Sequence, residues 1–290
     1  MLSGAWSAIV TPFRDGAVDD KALRDLIEWQ IAGGIQGLIP CGSTGESATL
    51  SHAEHEHVIK IAIEQVRHRV PVFAGTGSNS TAEAIRLTTF AREAGADGAL
   101  LISPYYNRPT QEGIYRHYRM IAQSVDLPLI VYNIPSRTGS NILPETMARL
   151  CEFKNIVAVK EAAGSLDQVS DIHRLCGERL AILSGDDSLT LPMMAVGATG
   201  VISVITNIMP AETRKLIDAA LEGNFSHARE LHYQLLPMVR ALFVETNPVP
   251  VKHALSLMNK CSAEVRMPLV GLAAASAEKL RAAMKEARLI

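Results

Sequence analysis

Lys160 is the residue of this sequence whose surroundings point most directly to chemistry. It follows the apolar run 156–159, which predicts a short buried β-strand, so its side chain is expected where that strand ends. Loss of hydration favours the neutral form of a lysine, and a neutral amine attacks carbonyl carbons to form imines. Most lysines at strand ends are nevertheless solvated, so position alone favours a surface lysine. The residues at the other strand ends therefore decide between the two interpretations.

Two hydroxyl side chains follow the predicted strand 37–40. Ser43 and Thr44 lie in the glycine-containing segment 42–46, close to the start of the next predicted helix. Backbone N–H groups near a helix N-terminus bind anions, so these residues predict a site for a small carboxylate. Ordinary turn and capping chemistry is the alternative, and it is the commoner use of serine and threonine at such positions.

A phenol and a guanidinium accompany the predicted strand 127–132. Tyr132 ends that strand, near the rim where Lys160 is expected, and its hydroxyl is suited to carry protons during imine formation. Arg137 presents a planar fork that can bind a carboxylate through two parallel hydrogen bonds. The alternatives are an amphipathic core tyrosine and an ordinary loop arginine. Further polar segments follow the strands predicted at 98–102 and 181–184, namely 103–107 and 185–187.

Metal and cofactor motifs are weak in this chain. His52, His55 and His57 occur together, but the zinc-protease spacing fails because Ile59 stands where a second histidine is needed. A solvated helix face is the better interpretation of these histidines. The segment 75–80 lacks the third glycine of a dinucleotide-binding fingerprint. Neither a metal nor an organic cofactor is predicted.

The residues singled out above can meet only if the strands that carry them are neighbours in one sheet. Apolar runs alternate with segments of helical periodicity along the chain. Eight such pairs are typical of a (β/α)8 TIM barrel, whose active site lies where the carboxyl ends of its strands meet, whereas a doubly wound sheet usually has fewer strands. The predicted strands are 5–10, 37–40, 70–74, 98–102, 127–132, 156–159, 181–184 and 200–204, with helices near 19–33, 51–67, 80–95, 111–125, 143–152, 165–176, 187–196 and 210–222.

The predicted barrel occupies residues 1–224, and residues 225–290 are expected to be entirely helical. No linker rich in glycine, serine or proline separates the two parts, so the second part is expected to pack on the barrel. The predicted fold class is therefore an α/β barrel with a C-terminal helical region. Its helices are expected near 225–243, 250–259 and 276–288.

Composition excludes several classes of protein. With 48% hydrophobic and 20% charged residues, the 290-residue chain is expected to fold around one large core. A net charge of −2 without a Lys/Arg cluster argues against nucleic acid or an anionic membrane as a partner and favours a small molecule. The four cysteines are widely spaced, which fits a reducing cytosol. The uncharged segment 188–211 is broken by proline and glycine, so no membrane span is predicted.

Eight sequence blocks, taken in order, resemble the Schiff-base, pyruvate-dependent aldolases over essentially the whole chain. The resemblance implies a (β/α)8 barrel enzyme that works without an organic cofactor or a catalytic metal. Eight blocks in order are a far more specific signal than any one of them. The blocks are AIVTP (8–12), GSTGES (42–47), PYYNRP (104–109), YNIPSRTG (132–139), VKEA (159–162), SGDD (184–187), GVISV (200–204) and NPVPVK (247–252).

The resemblance implies a role for each matching residue. Lys160 would condense with pyruvate, Tyr132 would act as the general acid and base, and Ser43 would relay protons. Tyr106 would be lent by a neighbouring subunit, which implies at least a dimer and points to a homotetramer. Thr44 would hold the carboxylate of pyruvate, and Gly185 and Ile202 would line the substrate pocket.

The second substrate depends on Arg137, which would receive the carboxylate of L-aspartate 4-semialdehyde. This residue favours the branch of the family that condenses pyruvate with that aldehyde in diaminopimelate and lysine biosynthesis, a cytoplasmic lyase activity. Ser43 departs from the threonine usual in that branch and matches N-acetylneuraminate lyases instead. The alternatives are therefore an N-acetylneuraminate lyase, a 2-keto-3-deoxygluconate aldolase or, from another class, a ligand-binding barrel without catalysis.

A regulatory site is also implied by the resemblance. Seven residues match positions at which L-lysine inhibits members of the family, and Glu83 could pair with the ammonium of that ligand. The alternative is that they are interface and helix-surface residues. The seven are Ser47, Ala48, His52, His55, Asn79, Glu83 and Tyr105.

Overall fold

A closed barrel of eight parallel strands organises the computed structural model, which describes residues 1–290. The order of the strands in the sheet is β2-β1-β8-β7-β6-β5-β4-β3, and a parallel bridge between Leu38 and Val72 joins β2 to β3. The predicted (β/α)8 fold is confirmed. The strands are β1 Gly4–Ala8, β2 Gly37–Ile39, β3 Phe73–Gly75, β4 Gly98–Ile102, β5 Leu129–Asn133, β6 Ile156–Glu161, β7 Ala181–Ser184 and β8 Gly200–Ser203.

Helices follow the strands and cover the outside of the barrel. Side-chain caps fix the first turns of six of the twelve helices, as at Ser51, which forms a capping box with Glu54. A small antiparallel hairpin, Phe13–Arg14 with Ala17–Val18, was not predicted. The helices are α1 Asp20–Ala32, α2 His52–Val66, α3 Thr81–Ala94, α4 Gln111–Ser124, α5 Pro135–Thr138, α6 Pro144–Leu150, α7 Leu166–Cys176, α8 Thr190–Ala195, α9 Pro210–Leu221, α10 Phe225–Ala241, α11 Val249–Leu257 and α12 Ala274–Glu286.

The apolar core has two layers, one between strands and helices and one inside the barrel. Inside the barrel, Trp6 and Phe73 meet edge to face with ring centroids 5.2 Å apart. These rings fit because the facing residues are glycines. A Cβ at Gly37 would lie 2.1 Å from the Trp6 ring, and one at Gly98 would lie 2.2 Å from the Phe73 ring. The interior is therefore filled by side chains and leaves the rim as the place for a ligand.

The C-terminal region packs on the barrel through α10, which lies against α9 and α12. The prediction that this region is entirely helical is wrong for residues 258–273, which form turns and extended chain between α11 and α12. Pro268 interrupts that segment and prevents a continuous helix. The division of the chain at residue 224 stays a prediction. No helix in the structure combines the length and the apolar content needed to span a bilayer.

Candidate active site

Lys160 lies inside β6 rather than after it, because the strand continues to Glu161. In the sheet register Lys160 is the partner of Tyr132 on β5. Its ammonium lies 4.3 Å from the centroid of the Tyr132 ring, and the residue is only 6% exposed. The interpretation of Lys160 as a solvated surface residue is therefore wrong.

Burial lowers the pKa of Lys160 to about 8, the Asp187 carboxylate opposes that fall, and the Arg137 guanidinium adds to it. At pH 7 about a tenth of a lysine with such a pKa is uncharged, against less than a thousandth of an ordinary one. Asp187, which sequence reasoning did not single out, is itself buried and accepts hydrogen bonds from the backbone N–H groups of Val204 and Ile205. Near neutral pH a substantial fraction of Lys160 is thus in the neutral, nucleophilic form.

Tyr132 is protonated at neutral pH. Burial raises its pKa to about 12, and the nearby Arg137 charge and Ser43 hydroxyl limit the rise. A protonated phenol beside the amine is suited to imine formation. It can donate a proton to the carbonyl oxygen that leaves as water when an amine condenses with a carbonyl compound.

The loop after β2 presents free hydrogen-bond donors. The backbone N–H groups of Ser43 and Thr44 have no acceptor within the chain. A single 3-10 turn, Ser47–Thr49, follows these residues before α2, which begins at His52 and is capped by Ser51. A carboxylate bound there can be held by the loop's own amides and hydroxyls.

Asn247 connects two of the predicted substrate-binding residues, and sequence reasoning gave it no role. Its side-chain Nδ2 donates to Thr44 Oγ1 at 3.0 Å, and its backbone oxygen accepts from Arg137 Nη2 at 3.0 Å. The Oδ1 atom of Asn247 is buried and has no partner. The only sequence signal was the NPVPVK block (247–252) in which this residue stands.

Two other predicted pocket residues lie close to the lysine. A Cβ at Gly185 would lie 3.1 Å from Lys160 Cε and 2.8 Å from Ala162 Cβ, so a side chain there would crowd the lysine. Ile202 on β8 is buried in the interior cluster that also contains Tyr132. Gly185 thus shapes the space around Lys160, and Ile202 contributes to the apolar interior below the rim.

Tyr106 stands apart from this arrangement. It is 90% exposed and adopts a positive φ of 71°, which is unusual for a residue other than glycine. Nothing within the single chain covers its ring. Its role in the proton relay of a neighbouring subunit stays a prediction.

A cavity of about 450 Å³ opens on the rim of the barrel. Ser43, Tyr132 and Arg137 line it, whereas Lys160, whose ammonium lies against the Tyr132 ring, does not. The same cavity is lined by six of the seven residues predicted to bind L-lysine, namely Ser47, Ala48, His52, His55, Glu83 and Tyr105. The seventh, Asn79, donates its side-chain amide to the backbone oxygen of Tyr105 at 3.1 Å.

Within that cavity the histidines differ. His55 is buried, and its Nε2 lies 2.7 Å from the backbone oxygen of Gly75, so the prediction of a solvated face is wrong for this residue. His52 Nε2 lies 2.6 Å from Glu83 Oε1. Hydrogen bonds from Ser78 and His52 lower the pKa of Glu83, so this carboxylate is charged at neutral pH. No three His, Cys, Asp or Glu side chains cluster as metal ligands.

A parallel barrel with a buried, readily deprotonated lysine beside a protonated tyrosine defines the class of lysine-dependent aldolases. A family profile described as the dihydrodipicolinate synthetase family matches residues 1–287. The chain belongs to this family and is a lyase. It is 59% identical to the 4-hydroxy-tetrahydrodipicolinate synthase of Syntrophus aciditrophicus, and the match covers 100% of both chains.

Solved structures agree with this assignment. The chloride-inhibited dihydrodipicolinate synthase of Acinetobacter baumannii, solved with pyruvate, has a TM-score of 0.98 and 44% identity over 100% of both chains. The enzyme of Cyanidioschyzon merolae, solved with lysine bound, has a TM-score of 0.97 and 39% identity over 99% of both chains.

Proposed function

We propose that this protein is a 4-hydroxy-tetrahydrodipicolinate synthase, which condenses pyruvate with L-aspartate 4-semialdehyde in the first committed step of diaminopimelate and lysine biosynthesis. The observation that carries the proposal is the buried Lys160, whose pKa is about 8 and whose ammonium lies 4.3 Å from the Tyr132 ring centroid. Full-length identity of 59% to a relative with this activity in its name supports the choice of substrates.

The first half of the reaction uses the β2 loop and the lysine. The free N–H groups of Ser43 and Thr44 receive the carboxylate of pyruvate, which turns its ketone towards Lys160. The neutral amine adds to the ketone carbon, and Tyr132 supplies the proton with which the former ketone oxygen leaves as water. The protonated imine then withdraws electrons from the methyl group, which loses a proton to the phenolate that Tyr132 has become and turns into an enamine.

The second half uses Arg137. Its guanidinium, held by the backbone oxygen of Asn247, receives the carboxylate of L-aspartate 4-semialdehyde. The enamine carbon attacks the aldehyde, and the new alkoxide takes a proton from the tyrosine relay. The amine of the bound substrate then attacks the imine carbon, closes the ring and expels the Lys160 amine. The lysine imine itself acts as the electron sink, so we propose that neither an organic cofactor nor a metal takes part.

Borohydride reduction tests the covalent step. In the presence of pyruvate it should leave one reduced pyruvate on Lys160, located by peptide mass spectrometry, and Lys160→Ala should remove the adduct while the circular dichroism spectrum stays unchanged. An adduct on another lysine, or none, contradicts the mechanism. A coupled assay with pyruvate and L-aspartate 4-semialdehyde, run beside N-acetylneuraminate and 2-keto-3-deoxygluconate, distinguishes the synthase from a sugar-acid aldolase and from a ligand-binding barrel without turnover.

The assembly and the regulation are part of the proposal. We infer that Tyr106, exposed in the single chain, completes the proton relay of a neighbouring subunit within a homotetramer. L-Lysine is proposed to bind in the cavity beside the charged Glu83, as its ammonium group would complement that carboxylate. The enzyme is proposed to act in the cytoplasm, where its substrates are expected.

A further inference from the structure

Glu161 directly follows the catalytic lysine, yet its side chain points away from the reaction. Successive side chains of a strand alternate between its two faces, so Glu161 faces outward, where it is only 1% exposed. Its carboxylate accepts hydrogen bonds from Ala163 N at 2.7 Å, Asn133 Nδ2 at 3.0 Å and Gln168 Nε2 at 3.1 Å. No cation lies within salt-bridge distance. A buried carboxylate whose only hydrogen-bond partners are amide N–H groups is unusual, which suggests that its negative charge has a role.

The amides around Glu161 form a closed network. Asn133 lies opposite Glu161 in the register of β5 and β6, and its Nδ2 also donates to Asn141 Oδ1 at 2.7 Å. Asn141 and Gln168 exchange two hydrogen bonds, Nδ2 to Oε1 at 2.7 Å and Nε2 to Oδ1 at 3.2 Å. Four side chains from β5, β6, α7 and the loop after α5 are thereby joined with their amide orientations determined.

This network holds both ends of the segment that carries Arg137. Asn133 precedes the segment, Asn141 follows it, and Asn133 Oδ1 also accepts from the backbone N–H of Ile142 at 3.0 Å. The side chain of Arg137 makes one hydrogen bond, to the backbone oxygen of Asn247. The position of its guanidinium therefore depends on the base of its turn.

Lys160 does not depend on the network in the same way. Its strand pairs on both sides, with Tyr132 of β5 and with Leu183 of β7 as the direct partners of Lys160. These ladders hold the backbone of the lysine whether or not the Glu161 carboxylate is present.

We propose that Glu161 is a positioning residue for the aldehyde substrate, which acts by fixing the turn that carries Arg137. The inference deepens the proposed function and rests on it, since it takes Arg137 as the group that binds the substrate carboxylate.

The network favours the charged carboxylate, because its hydrogen bonds oppose the burial that raises the pKa of Glu161. Every neighbour of the carboxylate donates a hydrogen bond towards it, so a glutamine at this position turns an NH2 group against another N–H donor. Rotating the amide of Gln168 relieves that conflict only by breaking its reciprocal pair with Asn141. The nearly isosteric Glu161→Gln substitution therefore leaves one donor without an acceptor and loosens the turn.

Steady-state kinetics of Glu161→Gln with both substrates tests the proposal. We expect the KM for L-aspartate 4-semialdehyde to rise about tenfold, the effect of losing one well-placed hydrogen bond to a charged group. The KM for pyruvate and the rate of borohydride trapping at Lys160 should stay within about twofold of the wild type. In an Arg137→Ala background the same substitution should have less than about a twofold effect, because it acts through that arginine.

Ile217→Ala serves as the stability control, because Ile217 is buried on α9, away from the network, and its truncation leaves a cavity. An equal rise in KM for Ile217→Ala would show that the effect is loss of stability alone. A parallel loss of imine trapping, or a full tenfold effect in the Arg137→Ala background, would also overturn the proposal. Wild-type protein that forms the imine but does not consume L-aspartate 4-semialdehyde would instead overturn the proposed function, and this inference with it.

Discussion

The Lys252 ammonium lies 2.6 Å from the Glu46 carboxylate, and both side chains are buried. Lys252 belongs to α11 in the C-terminal region, whereas Glu46 belongs to the loop after β2 that carries Ser43 and Thr44. The carboxylate also accepts a hydrogen bond from the backbone N–H of Arg266 at 3.0 Å. This pair thus attaches the C-terminal region to the loop that is proposed to hold pyruvate.

Removal of one partner should be strongly destabilising. Lys252→Met leaves the Glu46 carboxylate buried without a cation, and we expect the free energy of unfolding to fall by about 3–5 kcal/mol. Urea unfolding measures this change. The double variant Glu46→Gln/Lys252→Met removes both charges and should recover part of the loss. If the double variant is no more stable than the single one, the charge pairing is not what stabilises this contact.

The pH dependence of imine formation follows from the pKa of Lys160. The nucleophile is the neutral amine, so the rate of borohydride trapping should rise with pH, with an inflection near the pKa of about 8, and level off above it. Asp187→Asn removes a carboxylate that raises this pKa and should move the inflection to lower pH. An inflection that stays in place or moves upward would show that Asp187 does not act on the lysine.

Substitution of Asn247 should change the KM for pyruvate more than the KM for L-aspartate 4-semialdehyde. Asn247→Ala removes the hydrogen bond to Thr44 Oγ1 but keeps the backbone oxygen that accepts from Arg137. We expect the KM for pyruvate to rise by about three- to tenfold, the effect of one hydrogen bond, while the KM for L-aspartate 4-semialdehyde changes by less than about twofold. Equal changes in both constants in steady-state kinetics would contradict this division.

Subunit mixing tests the role of Tyr106. Lys160→Ala and Tyr106→Phe should each be nearly inactive as pure proteins. If the tyrosine acts across an interface, a mixed pair contains one site with both native residues, so random re-pairing should restore activity in about a quarter of the sites. Absence of complementation after verified subunit exchange would show that Tyr106 acts within its own chain or not at all.

Calorimetry with L-lysine tests the regulatory site. Binding should release or absorb measurable heat and inhibit turnover, and Glu83→Gln should weaken it at least about tenfold, because the ammonium loses a charged acceptor. His57→Gln on the exposed face of α2 is the matched control, since His57 does not line the cavity and pairs with Asp20. Unaltered affinity in Glu83→Gln would place the ligand elsewhere.

The sequence predicted well those features of the fold that depend on a local pattern of apolar and polar residues. Parallel strands covered on both faces appear as continuous apolar runs, so the eight strands and the position of Lys160 at the rim could be recognised. The resemblance to a family then assigned roles to residues such as Tyr132 and Arg137. Those roles remain proposals that the predicted experiments address.

Relationships between distant parts of the chain could not be predicted in this way. Asn247 and Thr44 are 203 positions apart, and Lys252 and Glu46 are 206 apart. Neither pair produces a periodic pattern in the sequence from which the contact could be predicted. The helical prediction for 258–273 failed for a related reason, because that segment is held by tertiary contacts such as the hydrogen bonds from Arg266 to Glu54.

The closure of the barrel between β2 and β3 consists of one isolated bridge, Leu38 to Val72, and a few backbone hydrogen bonds, including Gly75 N to Pro40 O at 2.8 Å. This is the seam at which the barrel can part with the smallest loss of backbone hydrogen bonding, so its amides should exchange with solvent earlier than those of β5 to β7. The cavity lies across that seam, with Gly42 on one side and Gly75 on the other. A ligand that fills the cavity contacts both sides of the seam and holds the two strands together. Its binding should therefore slow deuterium uptake by the backbone amides of the seam, even where no side chain moves.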